Sequence, residues 1–165
     1  MRFSRTVLLA SLLGMGCSEA PTNPSDSGAA APTSAAGAAA IETLRTSIAE
    51  LAGRSEHDAS AVKVQHLLVS FAGAGTRATR SKAEAETLTA DLLQRIGQGE
   101  DFATLIAEHT DDSPPGIYEM TTASRRGMVQ AFGDAGWRLS VGETGVAGHH
   151  PSASPYGWHI IKRLE

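Results

Sequence analysis

Two histidines stand inside apolar, strand-like runs and are the first residues in this sequence that could do chemistry. His66 lies in VQHLLVSF, and His159 lies in YGWHIIKRLE near the C-terminus. Taken alone, either histidine is most simply a core residue with one ring nitrogen bonded to a neighbour. Two histidines in such similar surroundings favour a second interpretation, in which both belong to one site.

Two further residue sets admit both a structural and a functional interpretation. Met128 and Phe132 are four residues apart, so on a helix they share one face. That face could be ordinary core or the apolar floor of a pocket. Asp112 precedes the run SPPG, where a carboxylate could cap the turn or belong to a site.

A third cluster of histidines invites a metal interpretation, which the spacing does not support. His149 and His150 are adjacent, and His159 follows nearby. This spacing fits no standard zinc site, and no cysteine of the region assists. We therefore expect no metal and no other cofactor.

The elements that must position these residues can be read from the periodicity. Residues 62–71 alternate as a strand with Val64, His66 and Leu68 on one face. Ser81 and Glu84 form a capping box for a helix that runs to about Ile96. A second helix carries four residues on one side: Phe102, Leu105, Ile106 and His109.

The rest of the chain predicts a strand, a helix and two more strands. The segments are a short strand over 116–122, a helix over 130–139, a loop and strand over 142–148 and a closing strand over 157–164. A small antiparallel sheet with helices packed on it is the natural α+β arrangement for this order.

The N-terminal part of the chain differs in composition from the rest. Residues 17–39 are rich in Ala, Ser, Pro, Gly and Thr, and they carry too little apolar surface to offset the entropy of ordering. We predict a flexible tether there. Residues 40–60 hold a short amphipathic helix and a linker, and the helix could dock on its own domain or on a partner. The folded domain is predicted over 61–165.

Length and charge exclude some classes of function. The chain has 165 residues, which suggests one compact domain plus accessory segments. Its formal net charge is -4, with Arg and Lys scattered among acidic neighbours. A nucleic-acid-binding surface would be basic and clustered, so we expect no nucleic-acid partner.

The first residues resemble a bacterial lipoprotein signal. Residues 1–16 combine two arginines, a short apolar stretch and small residues leading to Cys17, the single cysteine of the chain. The resemblance implies that Cys17 is lipidated and anchors the protein to the cell envelope. With Ser18 next, we expect the outer membrane, facing the periplasm. A plain cleaved signal with an incidental cysteine is the alternative.

Five segments in register resemble one known family. They are VQHLLV in the first strand, SKAEAETLTADLLQRIGQGEDFATLIAEHTDD through the helices, RRGMVQAFGDAGWRL, VGETG and the closing YGWHIIKRLE. Together these segments are similar to the parvulins, a family of peptidyl-prolyl cis/trans isomerases. The resemblance implies a four-stranded antiparallel sheet surrounded by about four helices.

The resemblance also implies a set of site residues. His66 and His159 match the two central histidines of parvulins, and Asp112 stands where bacterial members often have aspartate. The residues expected to contact the substrate are Met120, Met128, Phe132, Ser154 and Tyr156. The segment SPPGIYEMTT departs from the glycine-rich turn usual in parvulins, so we expect a different near wall of the pocket.

The activity implied is rotation about Xaa-Pro bonds of unfolded or exported polypeptides, without a covalent intermediate. The loop after the first strand offers only Arg77 and Arg80, so a preference for phosphorylated substrates is not expected. The alternative is a catalytically silent parvulin module that holds unfolded chains or docks on an envelope partner.

Overall fold

The computed structural model describes residues 34–165 of the chain. Cys17, the signal-like segment and most of the predicted tether lie outside the described residues. The elements, in order, are α1 Ala35–Gly53, β1 Ala61–Val69, α2 Lys82–Gly97, α3 Phe102–His109, β2 Ile117–Thr121, a 3-10 turn Ser124–Gly127, α4 Gln130–Arg138, β3 Thr144–Ala147 and β4 Trp158–Arg163.

The four strands form one antiparallel sheet in the order β2-β1-β4-β3. The first and last strands are therefore neighbours at the centre, and Leu68 of β1 lies opposite His159 of β4. This architecture, a four-stranded antiparallel sheet with four α-helices, confirms the predicted α+β fold.

The two faces of the sheet bury two separate hydrophobic clusters. Leu67 and Val69 of β1 face the cluster formed with α1, α2 and α3. Val62 and Val64, which alternate with them, face the cluster formed with α4. His66 has the parity of Val64, so it emerges on the α4 side of the sheet. The alternation predicted from the sequence thus sets which side the site is on.

Helix α1 is longer than predicted and packs on its own domain. It begins at Ala35, inside the segment predicted as a tether, because the Ser34 side chain caps the first turn by accepting from the Gly37 amide. Its apolar side buries Leu44 and Leu51 completely or nearly so. A Cβ on Gly145 of β3 would lie 2.8 Å from the Leu51 side chain, so a glycine at this position lets α1 pack closely on the sheet.

The remaining boundaries agree with the sequence pattern to within two residues. Both hydrogen bonds of the capping box between Ser81 and Glu84 are present at the start of α2. The first strand ends at Val69, two residues before the predicted Phe71. Of the helices within residues 34–165, none is both long and apolar enough to cross a membrane.

Candidate functional site

The two histidines form a direct hydrogen-bonded pair. Nε2 of His66 and Nδ1 of His159 are 2.8 Å apart, and the two rings stack with their centroids 4.9 Å apart. Each side chain is 4% exposed. The pair exists because β1 and β4 are neighbours and both histidines project from the same face of the sheet.

A carboxylate and a phenol extend this pair. Nδ1 of His66 lies 3.6 Å from Oδ2 of Asp112, and the Tyr118 hydroxyl donates to the same oxygen at 2.7 Å. Asp112 is held in place through its neighbour, because the Asp111 amide donates to the Leu68 carbonyl of β1 at 2.9 Å.

The positions of the protons on the two rings are linked, because one ring must donate to the other. If Nδ1 of His66 carries its proton toward the carboxylate, then Nε2 of His66 must accept from Nδ1 of His159. Nε2 of His159 is then a bare acceptor, and this atom is buried without a hydrogen-bond partner among the described residues. The histidine pair therefore ends, on the His159 side, at a ring nitrogen that is shielded from solvent.

The environment shifts three pKa values in ways that fit this pattern. The nearby His66 ring, assisted by the hydrogen bond from Tyr118, holds the pKa of Asp112 well below its usual range. Burial raises the pKa of Tyr118 to about 12, and the bond to the carboxylate adds to this effect. Burial also holds the pKa of His159 far below its usual range. Asp112 is accordingly ionised and His159 uncharged at neutral pH.

A cavity of about 360 Å³ opens above these groups. Phe132 forms its floor, with ring centroids 5.0 Å from His66 and 5.3 Å from Tyr118. The residues that line the cavity are His66, Leu68, Gly75, Thr76, Asp111, Asp112, Tyr118, Gly127, Met128, Val129, Phe132, Tyr156 and His159. The site therefore joins an apolar floor to a polar chain along one wall.

The near wall is shaped by the turn that departs from the parvulin pattern. Gly116 adopts φ +67° and approaches His66 so closely that a Cβ would lie 2.2 Å from the His66 carbonyl oxygen. The His66 amide in turn donates to the Gly116 carbonyl at 2.8 Å. The single glycine of this turn thus lets the following strand start beside His66 and brings Tyr118 to the wall.

Of the two arginines in the loop after β1, Arg80 is bonded to other groups of the protein. Arg80 donates to the Ser70 carbonyl at 2.9 Å and forms an ion pair with Asp111. Ser70 itself donates its amide to Asp111 at 2.7 Å. The Arg80 guanidinium therefore stabilises the loop after β1.

Six of the eight predicted catalytic and substrate-contacting residues meet at the cavity. They are His66, Asp112, Met128, Phe132, Tyr156 and His159. The prediction for Met120 is wrong: it is 1% exposed and packs in the core beneath α4, where its methyl group lies 3.0 Å from the Cβ position of Gly136. It shares a strand face with Tyr118 but stands two residues beyond the cavity.

Ser154 also lies away from the cavity lining. It is fully buried, and its hydroxyl donates to the Gly157 carbonyl at 2.9 Å, which closes the turn before β4. The prediction that it contacts substrate is therefore replaced by a role in shaping this turn.

Tyr118 is the cavity residue beside Asp112 that the sequence pattern missed. Its position, two residues before Met120 on the same strand face, was the available signal. The other histidines stand apart from the site: His149 packs against Phe71 and Trp158. Within residues 34–165, no three His, Cys, Asp or Glu side chains are grouped so that they could hold a metal ion.

Comparison with known proteins agrees with this architecture. Residues 46–165 match the family described as the PPIC-type PPIASE domain. The chain therefore belongs to the PpiC-type parvulins, the class that the sheet order and the paired histidines define.

Its relatives are larger proteins. The chain is 36% identical over 102 residues to a chaperone SurA from Chromohalobacter salexigens, covering 61% of this chain and 21% of that protein. It is 26% identical over 126 residues to a foldase protein PrsA from Geobacillus, covering 75% of this chain and 39% of that protein. The chain thus spans well under half the length of these relatives.

Two solved structures share the fold. The solution structure of TbPIN1 superposes with a TM-score of 0.52 at 25% identity, over 65% of this chain and 99% of that one. The peptidyl-prolyl isomerase ESS1 from Candida albicans gives a TM-score of 0.54 at 19% identity, over 75% of this chain and 74% of that one.

Proposed function

We propose that this protein is a peptidyl-prolyl cis/trans isomerase (EC 5.2.1.8) that assists the folding of exported polypeptides. The observation that carries the proposal is one cavity in which an apolar floor, Met128 and Phe132, faces the hydrogen-bonded pair of His159 and His66, with the Asp112 carboxylate 3.6 Å from His66. Membership of the parvulin family supports it.

The reaction needs no bond cleavage, which suits the residues present. Resonance in the peptide bond sets a rotation barrier of about 18–20 kcal/mol. The twisted transition state has lost that resonance, so its amide is less polar than the planar ground state. An apolar floor of Met128 and Phe132 favours the less polar state, and each ~1.4 kcal/mol of preference gives about a tenfold rate increase.

The polar residues position the floor of the cavity and polarise the substrate carbonyl, and they do not transfer protons. The buried, hydrogen-bonded pair of His66 and His159 fixes the ring that packs on Phe132. Asp112, kept ionised by His66 and Tyr118, lies on the cavity wall where it can act on the substrate carbonyl and its charge distribution. The fixed charge then acts without reorganisation during rotation.

A second function is a silent module that binds unfolded chains without catalysis. The observation that favours it is the changed near wall, where the Tyr118 hydroxyl is bonded to Asp112, the carboxylate that lies 3.6 Å from His66. In this case the cavity would retain prolyl segments, and the relatives named chaperone and foldase are compatible with such use.

A protease-coupled isomerisation assay on a panel of Xaa-Pro tetrapeptides separates the two functions. The isomerase proposal predicts a rate well above the uncatalysed background for the wild type and a slower rate for Asp112→Ala, measured where both proteins are folded because this variant also loses the bond from Tyr118. The silent module predicts background rates together with measurable binding of an unfolded protein. Background rates throughout the panel would reject the isomerase proposal.

We also propose that Cys17 carries a lipid that anchors the protein at the cell envelope, with the outer membrane facing the periplasm as the expected site. The basic, apolar and small residues before Cys17 and the Ser18 after it support this proposal. Metabolic labelling with a tagged fatty acid tests it. The wild type should carry label and Cys17→Ala should not, whereas label retained by Cys17→Ala would refute the anchor.

A further inference from the structure

The segment that carries Asp112 is attached to the end of β1, although it belongs to no strand. Two hydrogen bonds join it to Leu68: the Leu68 amide donates to the Thr110 hydroxyl at 3.2 Å, and the Asp111 amide donates to the Leu68 carbonyl at 2.9 Å. The Thr110 hydroxyl also accepts from the Asp112 amide at 3.2 Å. Leu68 follows His66 by two residues, so these bonds set the position of Asp112 along the strand that carries the histidine.

An ion pair continues this attachment at Ser70, directly after β1. One oxygen of the Asp111 carboxylate accepts from the Ser70 amide at 2.7 Å and also from the Arg80 guanidinium. The same guanidinium nitrogen donates to the Ser70 carbonyl at 2.9 Å. The side chains of Asp111 and Arg80 therefore bind both backbone groups of Ser70, as a neighbouring strand would.

This ion pair is partly shielded from water. The side chain of Asp111 is 15% exposed and that of Arg80 is 29% exposed, and Ser70 between them is fully buried. Partly buried charges are screened less by salt than charges on the open surface. The pair is therefore better placed to hold a fixed geometry than an exposed ion pair.

The ion pair also lies beside a second wall of the cavity. Asp111 lines the cavity itself, and the loop after β1 adds Gly75 and Thr76. The Thr76 hydroxyl donates to the Ser70 hydroxyl at 2.7 Å, while Arg80 bonds to the Ser70 carbonyl. The loop wall and the segment before β2 are thus joined at one point, the end of β1.

We propose that Arg80 and Asp111 are positioning residues for isomerisation: their ion pair holds the Asp112 carboxylate in place on the cavity wall. In this position the carboxylate lies 3.6 Å from His66 and accepts from the Tyr118 hydroxyl. The inference rests on the proposed function, because it assigns the ion pair a part in catalysis. A small displacement of a group that acts on the reacting bond lowers the rate steeply, so loss of the pair should reduce kcat more than it raises KM.

Titration of Asp112 separates positioning from a direct effect of charge. Asp111→Ala removes a neighbouring negative charge, and this change alone would lower the pKa of Asp112. If the ion pair positions Asp112, the same substitution weakens the contacts with His66 and Tyr118 that favour the ionised form, and the pKa should rise. We expect carbon-detected NMR of the full chain to show a rise of at least about 0.5 in this pKa. A pKa of Asp112 that is unchanged or lower in Asp111→Ala would overturn the inference.

Substitutions of the two loop arginines provide the kinetic test. One nitrogen of Arg80 makes both contacts, so the ammonium group of Arg80→Lys can replace it in part, whereas Arg80→Gln removes the cation. Arg77 is exposed in the same loop and does not line the cavity, so Arg77→Gln is the matched control. With an Xaa-Pro tetrapeptide, Arg80→Gln should lower kcat at least about fivefold and change KM less than about twofold. Arg80→Lys should recover most of this loss, and Arg77→Gln should match the wild type. A wild-type kcat in Arg80→Gln, or an equal loss in Arg77→Gln, would overturn the inference.

Urea denaturation of each variant defines the conditions under which it is folded, and all rates and titrations are measured there. If Asp111→Ala does not fold, Asp111→Asn replaces it, because it removes the same charge and makes the same prediction for the direction of the Asp112 shift. Variants that lose stability alone, with the Asp112 titration and kcat of the wild type, would assign the ion pair to the fold and overturn the inference. Absence of isomerase activity in the wild type would count against the proposed function, and the Asp112 titration would still decide whether the ion pair positions the carboxylate.

Discussion

Replacing Tyr118 with phenylalanine removes one hydroxyl and keeps the aromatic wall of the cavity. That hydroxyl donates to Asp112 at 2.7 Å. A hydrogen bond to a charged group contributes about 1.5–3 kcal/mol when it is shielded from water. The Asp112 side chain is 35% exposed, so water can take over part of the lost bond. We therefore expect Tyr118→Phe to lower the free energy of unfolding by about 1 kcal/mol at pH 7.

The sign of the pH effect follows from the lowered pKa of Asp112. A carboxyl whose pKa is depressed by folding contributes stability above its unfolded pKa of about 4, and this stability is lost as the pH falls toward the folded value. Without the Tyr118 hydroxyl the ionised form is favoured less, so the pKa of Asp112 should rise. Carbon-detected NMR titration of the carboxyl group measures this shift directly.

Tyr156→Phe is the matched control for this experiment. Tyr156 lines the same cavity from the other side and is 43% exposed. Its hydroxyl should therefore matter little to Asp112, and the control should leave both the titration and urea denaturation unchanged. An Asp112 titration that is the same in wild type and Tyr118→Phe, with equal unfolding free energies, would refute the assigned hydrogen-bond chain.

Three other predictions concern the groups around the cavity. His66→Ala and His159→Ala should each lower the free energy of unfolding by roughly 1–3 kcal/mol and slow turnover, because the remaining ring loses its buried partner; unchanged urea denaturation in both would show that the pair is not structural. Burial lowers the pKa of His159, so unfolding takes up a proton below about pH 6.5. Wild-type stability should then fall with decreasing pH from there toward the folded pKa, by up to about 1.4 kcal/mol per pH unit, and His159→Gln should remove that part of the slope in urea titrations. Arg125, three residues before Met128, pairs with two carboxylates and stacks on the Trp137 indole at 4.7 Å. Arg125→Gln should raise KM for Xaa-Pro peptides and lower stability, whereas the neighbouring Arg126→Gln should do neither.

The central part of the fold could be predicted because its signals are local. Alternation in the first strand placed His66 on the face of Val64, opposite Leu67, and the structure confirms this placement. The capping box at Ser81 marked the start of α2. These features depend on residues only a few positions apart, so the sequence pattern contains them.

The limits of the site depended on contacts between distant segments. Tyr118 and Met120 share one face of β2, so their spacing alone does not show which of them lines the cavity. That depends on where the cavity ends along the strand, and the cavity includes Tyr118 but not Met120. That end is set by α4, where Gly136 sits over Met120. The hydrogen bond from Tyr118 to Asp112 also depends on the turn at Gly116, whose shape departs from the parvulin pattern.

The start of α1 was mispredicted for a different reason. Residues 35–39 are alanines and one glycine, which carry no apolar periodicity and therefore looked like tether. The cap at Ser34 and the docking of Leu44 and Leu51 extend the helix backward through them. Alanine has the highest helix propensity, so an anchored helix continues through such a run at little cost.

The most direct test of the account measures cis/trans exchange of an Xaa-Pro peptide by two-dimensional exchange NMR with the wild type and Phe132→Ala. Phe132 is 4% exposed, so the comparison must be made where both proteins are folded. If Phe132→Ala does not fold, the half-buried Met128→Ala carries the same test. We expect wild-type exchange well above the uncatalysed rate and a kcat/KM at least about tenfold lower in the variant, equivalent to about 1.4 kcal/mol. Peptide that binds in the cavity while exchanging at the uncatalysed rate would contradict it.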